Sequence, residues 1–221
     1  METKEILRIK NLKKTFSDKE VLKDINLVIK KREIIGITGK SGEGKTTLLR
    51  IINMLEHQDD GNIKIFQKEV KHIKKDLETR RKISMVFQKP LLLNESIHYN
   101  ASFGLKLRKI NKEQIKKEVN NHLNRFKIKD KKQNVNKLSG GEIQRIALIQ
   151  AMIVKPEILI LDEPSANLDN NNLEILNEMI FELRDKHDTT IIIGSHDLEH
   201  IKNICDRIYH LEKGILTQTK K

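Results

Sequence analysis

The chain has 221 residues and a mass of 25.8 kDa. That length suits one domain, or one domain with an insertion, whose core needs no covalent staples. With 37% hydrophobic and 33% charged residues, it reads as a highly charged globular protein and not as a disordered one. No apolar run approaches the roughly 20 residues of a membrane span. The start over residues 1–10 alternates charged and apolar residues, unlike a signal peptide. One cysteine, Cys205, excludes an internal disulfide and fits a reducing compartment.

The net charge of +12 is unevenly placed. Residues 64–137 hold 21 Lys/Arg against 7 Asp/Glu, and the remainder holds 22 against 24. Such a segment suits an anionic membrane surface, an acidic partner or nucleic acid, or else a solvated Lys-rich helical face. Few aromatics interleave with the cations and no nucleic-acid motif is present, so nucleic acid is not expected as a partner.

In chain order, Ile6, Leu7, Arg8 and Ile9 read as a strand. Ile25, Leu27 and Ile29 alternate with polar neighbours in a second. Ile34, Ile35, Gly36 and Ile37 are apolar on both faces, as in a central buried strand. After a Gly-rich turn, residues 46–55 place Leu48, Leu49, Ile51, Ile52 and Leu55 at helical spacing. Residues 111–126 carry a narrow stripe of Ile115, Val119, Leu123 and Phe126 between Lys-rich faces, which predicts a helical insertion. Strand signals return at 158–161 and 190–193, with a helix over 173–183 between them. Residues 207–216 read as two short strands around Lys213-Gly214. Uniformly apolar strands alternating with helices predict an α/β fold with a mostly parallel, helix-covered sheet.

Three patches carry chemistry. Residues 39–46 read GKSGEGKT and fit the phosphate-loop pattern between a buried strand and a helix. Gly39, Gly42 and Gly44 let the backbone curl so that its N–H groups, with those of Lys40, Ser41, Glu43 and Thr47 around them, face a phosphate. Lys45 reaches the β- and γ-phosphates and Thr46 ligates Mg²⁺ in such a loop. Glu43 is an unexpected acid in an anion-binding loop, and it is expected to point outward to solvent. Asp162 ends an apolar strand, where it can hold Mg²⁺ through water, and the adjoining Glu163 suits a general base. Ser139, Gly140 and Gly141 open a helix and offer a second anion site.

The motifs occur in a telling order: the phosphate loop, Gln88 in MVFQKP, LSGGE at 138–142, ILILDEP at 158–164, SANLD at 165–169 and His196 in IGSHD. From about residue 5 to 214 the chain resembles the nucleotide-binding subunit of ABC transporters. The resemblance implies a P-loop NTPase ABC ATPase fold over residues 1–221. Its parts are a RecA-like core with an antiparallel β subdomain (1–87 and 156–221) and a helical subdomain (88–155). It implies ATP hydrolysis with Mg²⁺. Glu163 is then the base, His196 contacts the γ-phosphate, and Gln88 senses Mg²⁺ or water and couples to the membrane partner. Ser139 and Gly141 cap the γ-phosphate held by the other subunit of a homo- or heterodimer. Phe16 falls where the family stacks an aromatic on adenine, although a strand Phe also fits a core position. Three residues depart from the common pattern: Arg32 stands where a glycine often precedes the Glu of the strand, Glu43 where a small residue is frequent, and Gln150 where an arginine usually closes the signature helix, which puts in doubt a salt bridge normally made there.

The implied setting is the cytoplasmic face of the cell membrane, against transmembrane permease subunits and, for import, an extracytoplasmic solute-binding protein. Charge reversal at Lys106, Arg108 and Lys109 is then expected to weaken membrane recruitment. Residues 90–108 resemble importers of tungstate, molybdate or phosphate, whereas SANLD resembles lipoprotein-release, export and cell-division complexes. A gating or signalling cassette uses the same residues. A soluble ABC ATPase acting on translation or DNA is disfavoured by the single cassette without a coiled coil.

Overall fold

A computed structural model describes residues 4–70, 76–129, 132–166 and 168–219. Residues 71–75, 130 and 131 of the basic segment, and Asn167 of SANLD, lie outside the described residues. The first two strands are longer than the apolar pattern alone predicts. β1 (Glu5–Phe16) and β2 (Lys19–Lys30) form an antiparallel hairpin that closes at Phe16↔Lys19. β4 (Asp60–Ile65) pairs with β1, and β5 (Lys68–Glu69) pairs with β4, giving an antiparallel sheet ordered β2-β1-β4-β5.

The second sheet holds β3 (Ile34–Thr38), β6 (Ile83–Val86), β7 (Ile158–Asp162), β8 (Thr190–Gly194), β9 (Arg207–Glu212) and β10 (Ile215–Thr219). Its order is β10-β9-β3-β8-β7-β6, parallel except for the β9–β10 hairpin. β3, β7 and β8 are buried at every position, which is why they read as continuous apolar runs. The two-residue side-chain period divides them between two cores. Ile34, Leu159, Leu161, Ile191 and Ile193 join a core shared with the long helices. Ile35, Ile37, Ile158, Ile160 and Ile192 pack with the antiparallel sheet and with α1 (Lys45–Ile52) on the other face.

The remaining helices are α2 (Leu77–Arg81), α3 (Ile97–Leu107), α4 (Lys112–Arg125), α5 (Gly140–Met152), α6 (Asn170–His187) and α7 (Leu198–Ile204). Ser96, Asn111, Ser139, Asp169 and Asp197 cap α3 to α7, each accepting from the backbone N–H three residues on. α4 buries Ile115, Val119 and Leu123 as its stripe predicts, and Phe126 is buried at its C-cap.

Two expectations need correction, and one departure from the common pattern finds its partners. α1 ends at Ile52, not at Leu55: Asn53 caps it, Met54 takes φ 56°, and Leu55 is left exposed, so the apolar period overran the helix. Arg32 occupies a left-handed turn (φ 68°), the conformation that a glycine adopts without strain, and lies 3.5 Å from Asp188 and 3.9 Å from Asp185. Lys106 and Lys109 are exposed, Lys106 with its Nζ 3.9 Å from the Tyr99 ring centroid, but Arg108 is not a surface cation of that kind. Its guanidinium donates to the carbonyls of Gly104 (3.1 Å) and Arg81 (2.7 Å), joining the end of α3 to the end of α2. Burial, with Arg81 beside it, lowers the Arg108 pKa.

Candidate nucleotide site

The phosphate loop runs from the C-terminal end of β3 into α1, whose N-cap is Gly44 with no side-chain cap. The first N–H groups of α1 therefore have no intrahelical partner and are open to an anion. Gly39 has φ 150°, and a Cβ there would stand 2.3 Å from the carbonyl oxygen of Leu211. The loop thus begins in direct backbone contact with β9.

Beside the loop lies a cleft of about 600 Å³, lined by Lys40, Ser41, Gly42, Gly44, Lys45, Thr46 and Thr47 together with Gln88, Glu163 and His196. Six residues of the loop and three groups from distant parts of the chain thus meet in one place. Val21 of β2 also lines the cleft. Sequence reasoning missed it, because an apolar residue in a strand carries no mark of facing a ligand. Lys45 is buried and folds back onto its own loop, donating to the carbonyls of Gly39 (2.7 Å) and Lys40 (3.1 Å).

Beneath the loop, the Thr46 hydroxyl donates to Asp162 Oδ2 at 2.8 Å. Asp162 is buried at the end of β7, and its Oδ1 has no hydrogen-bond partner. Burial pushes its carboxyl above the usual range, against the pull of the Thr46 bond. An orphaned carboxylate oxygen next to a threonine hydroxyl is the donor set of a hard divalent cation, so these two side chains fit Mg²⁺.

Glu163 follows with φ 51°, an unusual backbone for a non-glycine residue, and its N–H donates to Gly194 O at 2.8 Å. That bond carries the β7–β8 pairing one residue beyond the strand. Glu163 Oε2 accepts from Ser195 Oγ (3.2 Å), His196 N (3.3 Å) and His196 Nδ1 (2.8 Å). A carboxylate only accepts, so His196 carries its proton on Nδ1 in this arrangement. Glu163 Oε1 faces Lys45 Nζ at 3.8 Å. Ser195 is fully buried, bridges Glu163 and the Asp197 N–H, and is a second residue that the sequence did not single out. The His196 side chain is 74% exposed.

The other candidates lie apart from the cleft. Phe16 does not line it and is not a core residue: it is 44% exposed, with Lys14 Nζ 4.9 Å from its ring centroid. The Glu43 side chain is also outside the lining, and it is not simply solvated, since its carboxylate accepts from the backbone N–H of Lys213. Ser139, Gly140 and Gly141 open α5 and do not line the cleft of their own chain. Ser139 forms a capping box with Glu142, whose carboxyl is pulled below its usual range by the Ser139 backbone N–H and hydroxyl.

The ABC transporter family profile matches residues 22–166. The methionine import ATP-binding protein MetN of Clostridium acetobutylicum is 38% identical over 97% of this chain and 68% of its own length. The tungstate uptake ATP-binding protein TupC of Peptoclostridium acidaminophilum is 36% identical over 94% of this chain and 95% of its own. Among solved structures, the dimeric post-hydrolysis state of the ATP-binding cassette MJ0796 bound to ADP and Pi superposes with a TM-score of 0.89. It is 28% identical and covers 97% of this chain and 98% of that one. CbiO1 of Clostridium perfringens, part of the transporter complex CbiONQ, superposes with a TM-score of 0.83 at 31% identity, covering 97% and 87%. The fold, the cleft and these likenesses agree, and the chain belongs to the ABC transporter family as one of its ATP-hydrolysing cassettes.

Proposed function

We propose that the chain is the ATPase subunit of an importer and takes up a small oxyanion of the tungstate kind. The observation that carries the ATPase reading is the meeting of Lys45, Thr46, Asp162, Glu163, His196 and Gln88 around one cleft. The alignment with the tungstate subunit over nearly the whole of both chains supports the cargo class. Methionine import is the second reading, favoured by the 38% identity to MetN.

In this reading the loop N–H groups and the N-terminus of α1 hold the ATP phosphates, and Phe16 stacks on the base. Lys45 gives up its bonds to Gly39 O and Lys40 O to reach the β- and γ-phosphates. Thr46 and Gln88 would hold Mg²⁺ directly and Asp162 through water. The ion, when bound, neutralises charge on the β- and γ-oxygens. Glu163 orients the attacking water and takes its proton. Three donors already occupy its Oε2, so Oε1 is the atom left for that proton, and Ser195 and His196 fix its direction. His196 contacts the γ-phosphate. Ser139 and Gly141 serve the ATP of a second subunit, so two chains associate head to tail around two nucleotides.

A groove of about 400 Å³ between β6 and α3 fits the permease contact. It is lined by Phe87, Pro90, Leu91, Leu107 and Arg108, and Leu91 is 83% exposed. Gln88 lies between the groove residues Phe87 and Pro90 and lines the nucleotide cleft, which supports its coupling role. No helix among the described residues is long and apolar enough to cross a membrane. In this reading the chain sits against its permease at the cytoplasmic face.

The test uses Glu163→Gln as bait in a membrane pull-down with ATP. Loss of the base is expected to hold the ATP-bound pair closed and to retain its partners. Recovery of a permease with a solute-binding protein supports import, and tungstate, molybdate, phosphate and methionine are then titrated against that protein. A permease with a large extracytoplasmic domain points instead to release or export. Recovery of soluble partners only overturns the transport reading.

A further inference from the structure

The one acid in the phosphate loop is the residue that the ATPase reading leaves without a task. Glu43 stands between Gly42 and Gly44, yet its side chain turns away from the cleft onto the β9–β10 turn, where its carboxylate accepts from the Lys213 N–H. Two further contacts bind the same turn to its surroundings. Gly39 lies against the carbonyl of Leu211 just before the turn, and Gly214 O accepts from the N–H of Lys23 on β2 at 2.9 Å. The start of the loop, its apex and β2 are thereby closed into one ring through a turn that belongs to neither the loop nor α1.

We propose that Glu43 is a positioning residue for nucleotide binding. It ties the apex of the phosphate loop to the β9–β10 turn, and so holds the loop N–H groups convergent before the phosphates arrive. The proposal rests on the reading of residues 39–46 as the phosphate site. A loop that is competent only part of the time binds with its intrinsic affinity divided by the competent fraction. The tether raises that fraction without touching the ligand. It also keeps a carboxylate turned away from the phosphates, where a freed acid would repel them.

Three variants of the full chain separate the tether from the charge. Glu43→Ala loses both. Glu43→Gln keeps a carbonyl acceptor of the same reach and loses the charge. Glu43→Asp keeps the charge and loses one methylene of reach. Binding of a fluorescent ATP analogue is expected to weaken about tenfold for Glu43→Ala, the effect of a competent fraction reduced to about one in ten. Glu43→Gln is expected to stay within about twofold of the parent, and Glu43→Asp to bind at least as weakly as Glu43→Ala. In steady-state hydrolysis the loss falls on KM and not on kcat, because Glu163 and its partners are untouched.

Tighter binding by both Glu43→Ala and Glu43→Gln overturns the tether and leaves only charge repulsion. Equal binding by all three variants makes Glu43 an ordinary surface acid and overturns it as well. Nucleotide-free melting curves show whether each variant is folded, and the Gln and Asp variants keep the test intact if Glu43→Ala is not. Lys45→Ala is the control for the underlying reading: if it binds the analogue like the parent, the phosphate-site reading fails. If it loses binding while the Glu43 series is flat, only the tether fails.

Discussion

Two glycines of one loop should respond differently to the same added methyl group. Gly39 has φ 150° and Gly42 has φ 84°, so both hold backbone that an L side chain rarely adopts. At Gly42 a Cβ meets nothing within 4 Å, whereas at Gly39 it would stand 2.3 Å from Leu211 O. Gly42→Ala therefore carries backbone strain alone, about 1–2 kcal/mol. Gly39→Ala carries similar strain and a clash with a main-chain carbonyl that no rotamer change relieves, which brings the cost to about 3–4 kcal/mol. At about 2–4 °C per kcal/mol for a domain of this size, melting without nucleotide should fall by about 2–8 °C for Gly42→Ala and about 6–16 °C for Gly39→Ala. Scanning calorimetry on the purified chain measures both. Gly140→Ala, where a Cβ also meets nothing within 4 Å and no positive φ is needed, is the control and should melt with the parent. Equal losses for Gly39→Ala and Gly42→Ala would refute the contact with Leu211 as the cause.

Three further outcomes follow from single contacts. Thr46→Val should lower nucleotide-free stability by about 1–3 kcal/mol by leaving Asp162 Oδ2 as unpartnered as its Oδ1, and Thr46→Ser should restore both stability and Mg²⁺-dependent hydrolysis. His200 is buried, with Nε2 2.8 Å from Asn177 Oδ1, and burial lowers its pKa from 6.5. The unfolded chain then takes up the proton first, so stability is whole above pH 6.5 and falls as pH drops from there towards the lower folded value. His187, also lowered by burial, acts in the same direction. Urea titrations from pH 8 to 5 should show a shallower acid loss in His200→Gln than in the parent. Arg108→Glu should cost about 1–3 kcal/mol through the lost bonds to Gly104 O and Arg81 O, whereas Lys109→Glu stays within about 0.5 kcal/mol and Lys106→Glu, which gives up its cation–π contact with Tyr99, loses about 0.5–1 kcal/mol. Membrane recruitment is therefore tested with the two lysines, and equal melting of all three variants would return Arg108 to the surface set.

The parts legible in the sequence are those whose chemistry needs neighbours in the chain. β3, β7 and β8 announced themselves because both faces are buried, and GKSGEGKT because a phosphate loop is made by consecutive backbone groups. Asp162 and Glu163 are readable because an apolar strand ends at the first and the second follows it directly. What the sequence hid is long-range. Val21 meets the cleft from β2, and Ser195 braces Glu163 from 32 residues away. Neither residue type implies such a role. The same holds for the departures from pattern. Arg32 looks like an error where glycine is common, yet it keeps the left-handed turn and two acids of the α6 end lie within 4.0 Å of it. Arg108 looked like one more cation in a basic segment, and only the fold shows two carbonyls beneath it. Glu43 looks misplaced beside phosphate by sequence alone, and a turn 170 residues away supplies its partner. Local spacing encodes groups that act together on one ligand. The groups that hold those in place are encoded by the tertiary fold, and there a residue that breaks the local rule is better evidence of a contact than one that keeps it.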